Sequence, residues 1–258
     1  MSATAPTVTT VDIRGHATPV ATGGDPDAPA LLWVHGEGVT SGWRAVHDRL
    51  AGRFRVVAPT LPGFGGTELP AWVDGVDDVA LHLADLCETL GLTDPVVAGE
   101  SLGGWIATTL AIWRPGLVRG LALIGGLGLR SAQPVPDLFI KGGPEALTYL
   151  ANTIDGSSVD PLTGDVELAT ALWVEQAAQA RLMWERPYDR KLAVRAHHLR
   201  CPVRVVWGAA DRLLAPTHGA DLASLLGAPA PTVVAGAGHL VSVDAPEAVA
   251  EALLEAFA

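Results

Sequence analysis

Lysine is nearly absent from this sequence: Lys141 and Lys191 are the only two in 258 residues. With 28 acidic against 17 basic side chains, the formal net charge is −11. A chain so poor in positive charge has no basic face for nucleic acid or an anionic membrane, and both are excluded as partners. Cysteine is equally scarce. Cys87 lies in a helical pattern and Cys201 at a strand start, both in apolar surroundings. They read as reduced core residues rather than a disulfide framework. No apolar run approaches the length of a membrane span. The opening residues, Met1 to Thr7, lack the basic and apolar regions of a signal peptide. A cytoplasmic location is the expectation. Disorder is excluded by composition, 49% hydrophobic and 17% charged. The length suffices for one large domain with a well-buried core.

Short apolar runs alternate with helical stripes over the first half of the chain. Residues 8–14 and 19–22 predict an edge hairpin. Leu31-Leu-Trp-Val34, Arg55-Val-Val-Ala58, Val96-Val-Ala98 and Leu121-Ala-Leu-Ile124 are continuously apolar strands. The stripe Val79, Leu83, Leu86, Leu90 marks a helix over residues 77–90, and residues 43–50 and 102–113 mark two more. This rhythm implies a mainly parallel sheet covered by helices on both faces, an α/β fold. It stops between residues 128 and 191, where helical patterns at 144–152 and 166–184 predict an inserted helical cap. Strands at 203–207 and 232–234 and helices at 217–226 and 246–257 resume it. The expected organisation is a core of residues 1–127 and 192–258 with a cap at 128–191. Asp244, followed three places on by Glu247, reads as the N-cap of the last helix.

The most informative stretch is Pro95-Val-Val-Ala-Gly-Glu-Ser-Leu-Gly-Gly-Trp105, a buried strand running into Gly99-x-Ser101-x-Gly103 and then a helix. A serine there occupies a strained turn. The two glycines are required because the backbones pass too close for a Cβ. The turn lifts the hydroxyl into a cleft and aims the free N–H groups of a helix start at whatever it attacks.

With that elbow placed, the chain resembles the α/β-hydrolase fold family, particularly its small capped members. His35-Gly36 looks like the oxyanion-loop dipeptide. Leu61-Pro-Gly-Phe-Gly-Gly-Thr67 is similar to a glycine-rich family loop, with Thr60 in place of an aspartate. Val206-Trp-Gly-Ala-Ala-Asp211 looks like the strand-end acid motif, and Gly236-Ala-Gly-His239 with Asp244-Ala-Pro-Glu247 like the histidine loop and closing helix. The resemblance spans residues 31–127 and 200–257. It implies a triad of Ser101 as nucleophile, His239 as general base and Asp211 as orienting acid, in the chain order this fold uses. The segment after Leu121–Ile124 holds no carboxylate, which favours Asp211 as the acid. The backbone N–H groups of Leu102 and Glu37 are the implied oxyanion donors. No metal and no cofactor are expected.

Each remaining polar residue has a plainer reading. His35 is expected to hold its own loop, His82 to lie at a surface or boundary, Glu100 to fill the variable elbow position. His197 and His198 lack companion ligands for a metal. Glu37 is a candidate for biasing the site against anionic substrates. Pocket-lining candidates are Trp43, Trp105, Phe139, Trp173, Trp184 and Leu240, with helix packing the competing role for the cap residues. The expected activity is hydrolysis of a small-to-medium, largely apolar carboxylic ester by a carboxylesterase-like serine hydrolase. Alternatives are a lyase, cyclase or carbon–carbon bond hydrolase using the same residues, and a ligand-binding module without catalysis. A serine nucleophile excludes the aspartate-dependent epoxide hydrolases and dehalogenases of similar fold. A small-molecule substrate is the expected partner, with a homodimer left open.

Overall fold

The computed structural model describes residues 6–36, 40–141, 143–154 and 164–258. Among them, the strands are β1 (Thr7–Ile13), β2 (His16–Gly23), β3 (Ala30–Val34), β4 (Arg55–Pro59), β5 (Val96–Glu100), β6 (Gly120–Ile124), β7 (Val203–Gly208) and β8 (Thr232–Val234). They form one sheet in the order β1-β2-β4-β3-β5-β6-β7-β8. β1 and β2 are an antiparallel hairpin, and β2 meets β4 antiparallel. From β4 to β8 every pairing is parallel. The expected edge hairpin and parallel sheet are both present.

Helices α1 (Ala45–Leu50), α2 (Val76–Thr89) and α3 (Leu102–Trp113) occupy the first half of the chain. α4 (Gly143–Leu150), α5 (Val166–Leu182) and α6 (Leu192–Arg195) fall between β6 and β7, and α7 (Pro216–Leu225), α8 (Val241–Asp244) and α9 (Pro246–Phe257) follow. The central strands β3, β5 and β6 are buried along nearly their whole length because both faces are covered. On β3, Leu32 and Val34 join the residues of α2 and α3 in one core cluster. Leu31 and Trp33 join those of α1 and α9 in the other. The same alternation runs through β5 and β6. Burial of each such side chain is worth about 1.5–3 kcal/mol. The indole of Trp207, fully buried, satisfies its N–H on Leu214 O at 3.0 Å.

α3 is buried along almost its whole length, so it runs through the molecule rather than over it. Thr108 and Thr109 escape the cost of buried hydroxyls by donating to the carbonyls of Gly104 and Trp105 four residues back. α5 begins at Asp165, whose carboxylate accepts the N–H groups of Glu167 and Leu168. No helix among the described residues is long and apolar enough to cross a membrane.

Three expectations need correction. His82 is 3% exposed, not a surface residue. Its position on α2 faces the hairpin, where its ring bonds Thr18 Oγ1 at 3.1 Å, and burial lowers its pKa to about 4. Asp244 does not cap α9. Ala245 occupies that position with Pro246 first in the helix, and the Asp244 carboxylate turns back toward residues 152–153 and 238. Glu247 pairs instead with Arg49. Both cysteines are free, but only Cys87 is fully buried, its thiol pushed up to about 12 by burial, whereas Cys201 is half-buried.

Candidate active site

Ser101 joins β5 to α3 with φ 51° and ψ −118°, a region that non-glycine residues rarely occupy. Backbone hydrogen bonds hold it there. Its N–H donates to Ile124 O, and its carbonyl accepts from Gly104 and Leu127, each at 2.9 Å. Close packing explains both flanking glycines. A Cβ on Gly99 would lie 2.3 Å from Gly103 O, and one on Gly103 would lie 2.1 Å from Val34 O. The strand end, the elbow and the helix start are therefore fixed as a unit.

Ser101 Oγ lies 2.7 Å from His239 Nε2, and His239 Nδ1 lies 2.9 Å from Asp211 Oδ2. A carboxylate only accepts, so Nδ1 carries the proton and donates it, leaving the Nε2 lone pair for the serine hydroxyl. Asp211 is fixed in turn: its Oδ1 accepts the N–H groups of Leu213 and Leu214, both at 2.8 Å. Ser101 meets Asp211 and His239, each more than a hundred positions further along the chain, because the parallel strands end on one edge. The Ser101 and His239 side chains have no exposed surface, and Asp211 is 9% exposed. In so dry a site, each of these interactions is stronger than in water.

His35 fills the role expected of it. Nε2 accepts the Leu61 N–H at 2.9 Å, and Nδ1–H donates to Gly36 O at 2.7 Å. Burial lowers its pKa to about 4, against the opposing Gly36 bond, so the ring stays a neutral strut. Gly36 stands directly against the elbow, since a Cβ there would be 2.9 Å from Ser101 Cβ. Of the two implied oxyanion donors, Leu102 is the first residue of α3. Glu37 lies outside the described residues.

The pocket candidates scatter. Trp105, 8% exposed, lines an open cleft of about 880 Å³ between the start of α2 and residues 181–195. Trp184 stands on the same cleft, but at 84% exposure it is a rim residue. Ser101 is not among the residues lining that cleft. Trp173 is 74% exposed because Glu175, Ala178, Gln179 and Leu182 form the buried face of α5, and two residues turn the helix about 200°. Phe139 is 43% exposed. Trp43 packs over Gly23 of β2 on the α1 side, donating its indole N–H to Asp48 at 2.7 Å. Leu240 is fully buried as a core residue, and its N–H donates to Leu150 O at 2.7 Å. Of the six, Trp105 alone combines burial with a place on the cleft. The rings of His197 and His198 lie 4.0 Å apart at a tilt of 39°, and no group of three potential metal ligands exists among the described residues.

Two arrangements were not foreseen. Glu100, completely buried beside Ser101, accepts the Ser242 N–H at 2.8 Å and the Ser242 hydroxyl at 2.6 Å. This ties the elbow to the helix that follows His239. The signal was present as a carboxyl group at the end of a wholly apolar strand. Asp244 makes the second tie, from the histidine loop to the segment after α4. Its carboxylate accepts from Gly238 N at 2.7 Å, Asn152 N at 2.9 Å, Thr153 N at 2.9 Å and Thr153 Oγ1 at 2.6 Å. Burial raises its pKa, but the four donors outweigh it and the net shift is downward.

A strained serine, an oriented imidazole and a buried carboxylate at the carboxyl end of a parallel sheet define the hydrolase class of this fold. The chain belongs to the alpha/beta hydrolase family, whose model matches residues 31–252. An uncharacterized protein of Mycobacterium tuberculosis (strain ATCC 25618 / H37Rv) is 28% identical over 251 residues, covering 84% of this chain and 72% of that one. A 2-hydroxy-6-oxo-2,4-heptadienoate hydrolase of Pseudomonas putida is 39% identical over 106 residues, 39% of this chain and 38% of its own. Among solved structures, a membrane phospholipase A superposes with a TM-score of 0.82 at 25% identity, covering 98% of this chain and 85% of that one.

Proposed function

We propose that the protein hydrolyses a carboxylic ester through an acyl-enzyme on Ser101. The observation that carries this is the unbroken relay from Ser101 Oγ through His239 to Asp211, at 2.7 and 2.9 Å. His239 takes the hydroxyl proton as Ser101 attacks the ester carbonyl, then returns it to the departing alcohol. Asp211 keeps the ring in the useful tautomer and stabilises the imidazolium. The oxyanion would lie at the start of α3, where the Leu102 N–H is one donor and Glu37 the second. Such a donor is worth about 10²–10³ in rate. Water then repeats the sequence on the acyl group. Residues 128–191 act as a cap, and their buried leucines, Leu147, Leu150 and Leu182, suit a largely apolar substrate. The similarity to a phospholipase A supports ester cleavage.

A second reading, cleavage of a carbon–carbon bond beside a ketone, draws on the dienoate hydrolase relative. Against it, Leu240 follows the histidine where such enzymes typically carry tryptophan. A screen of p-nitrophenyl esters, lactones, thioesters and vinylogous diketones decides between them. Ester turnover is expected, falling by at least about 10⁴-fold in Ser101→Ala, with a fluorophosphonate labelling Ser101 alone. Turnover of diketones only would favour the second reading; near-native ester cleavage by Ser101→Ala would overturn the mechanism.

A further inference from the structure

The buried face of α5 carries polar side chains where packing against a core calls for leucine. Glu175 is 7% exposed and Gln179 8%. Four residues apart, they stand one above the other on the same side. Glu175 Oε1 accepts the Gly65 N–H at 2.8 Å, while Oε2 is buried without a hydrogen-bond partner among the described residues. A buried carboxylate oxygen left unmatched is costly and uncommon. Its position is informative. Ala178, on the same face, packs on Gly63, where an added Cβ would lie 2.7 Å from the alanine Cβ. The loop carrying Gly63 and Gly65 begins at Leu61, which holds His35, and the adjoining Gly36 stands against Ser101. The unmatched oxygen therefore sits where the insertion meets the loops around Ser101.

We propose that Glu175 and Gln179 form a recognition point for a hydroxyl group of the substrate. The hydroxyl donates to Glu175 Oε2 and accepts from the Gln179 side-chain amide, so each partner is satisfied. This rests on ester hydrolysis at Ser101 and narrows it: the preferred esters are hydroxylated. Carboxylate-bearing substrates are disfavoured, because a second buried negative charge beside Glu175 is repelled.

The test compares kcat/KM for two matched pairs, p-nitrophenyl butanoate with its 3-hydroxy analogue, and propyl butanoate with 2,3-dihydroxypropyl butanoate. The native protein should favour the hydroxylated member of at least one pair by about tenfold or more, since the unhydroxylated analogue leaves the acceptor unmatched. In Glu175→Leu that ratio should fall toward one. Glu175→Gln keeps an acceptor for Gly65 and guards against a folding failure; it should retain part of the preference. Native ratios near one in both pairs overturn the proposal. So does an equal loss on both members in Glu175→Leu, which would make Glu175 only a strut between α5 and Gly65. If no ester is cleaved, ester hydrolysis itself fails. Calorimetric binding of propyl and 2,3-dihydroxypropyl butanoate to Ser101→Ala then decides: tighter binding of the hydroxylated ester supports the recognition point, and equal or absent binding refutes it.

Discussion

Replacing Asp244 by alanine removes the acceptor that joins the histidine loop to the segment after α4. Four donors lose their partner: Gly238 N–H, Asn152 N–H, Thr153 N–H and the Thr153 hydroxyl. Fully buried, hydrogen bonds to a charged group contribute about 1.5–3 kcal/mol each. Asp244 is only half-buried, so water replaces part of what is lost and screening reduces the rest. A total of about 2–3 kcal/mol is expected. For a chain of this size that corresponds to a fall in Tm of about 4–12 °C, measured by circular dichroism at pH 7. Because the folded pKa of Asp244 lies below its ordinary value of 3.8, the stabilisation is present above that value and is lost as pH falls through the folded one. The gap between native and Asp244→Ala melting temperatures should thus be constant from about pH 5 upward and close in stronger acid. Gly238 directly precedes His239, so kcat should fall as well. An Asp244→Ala protein melting within about 1 °C of native, or a gap indifferent to acid, would refute the reasoning.

Gly103→Ala places a Cβ 2.1 Å from Val34 O and 2.5 Å from His35 O, both backbone atoms. The elbow must shift, and the variant should be inactive and destabilised, as activity and thermal melting together would report. Glu100→Ala strands the buried Ser242 N–H and hydroxyl, an expected loss of about 2–4 kcal/mol. Glu100→Gln, which still offers an acceptor, should recover much of it in urea denaturation. Cys87, buried with its thiol raised to about 12, should resist a thiol reagent in the native protein. It should react at full rate only after denaturation, with Cys201 the faster of the two when folded.

The sequence reached the strands and the serine elbow because both are local statements. Continuous apolar runs of strand length name buried parallel strands whatever their partners. The glycines at 99 and 103 mark a backbone approach that no other residue survives. The order Ser101, Asp211, His239 likewise needed no coordinates. What the chain could not disclose by itself is which face of a helix turns inward when polar and apolar residues are mixed. On α5, Glu175 and Gln179 are buried while Trp173 is exposed, the reverse of what hydrophobicity favours. Leu240 and Trp43 were drawn toward the site by proximity in sequence, yet packing sends one into the core and the other across β2.

Long-range polar ties were equally out of reach. Asp244 has the spacing of a helix cap, and local hydrogen bonding predicts that role. In the folded chain the loops of residues 152–153 and 236–238 bring backbone donors that compete for the same carboxylate and win. Glu100 has no local partner at all, and its match, Ser242, is 142 positions away. Periodicity thus determined the sheet, and the family resemblance named Ser101, Asp211 and His239 as the candidate triad. Only the tertiary structure decided how buried polar groups are satisfied, because a hydrogen bond is made between whatever donors and acceptors the fold happens to bring within 3 Å or so.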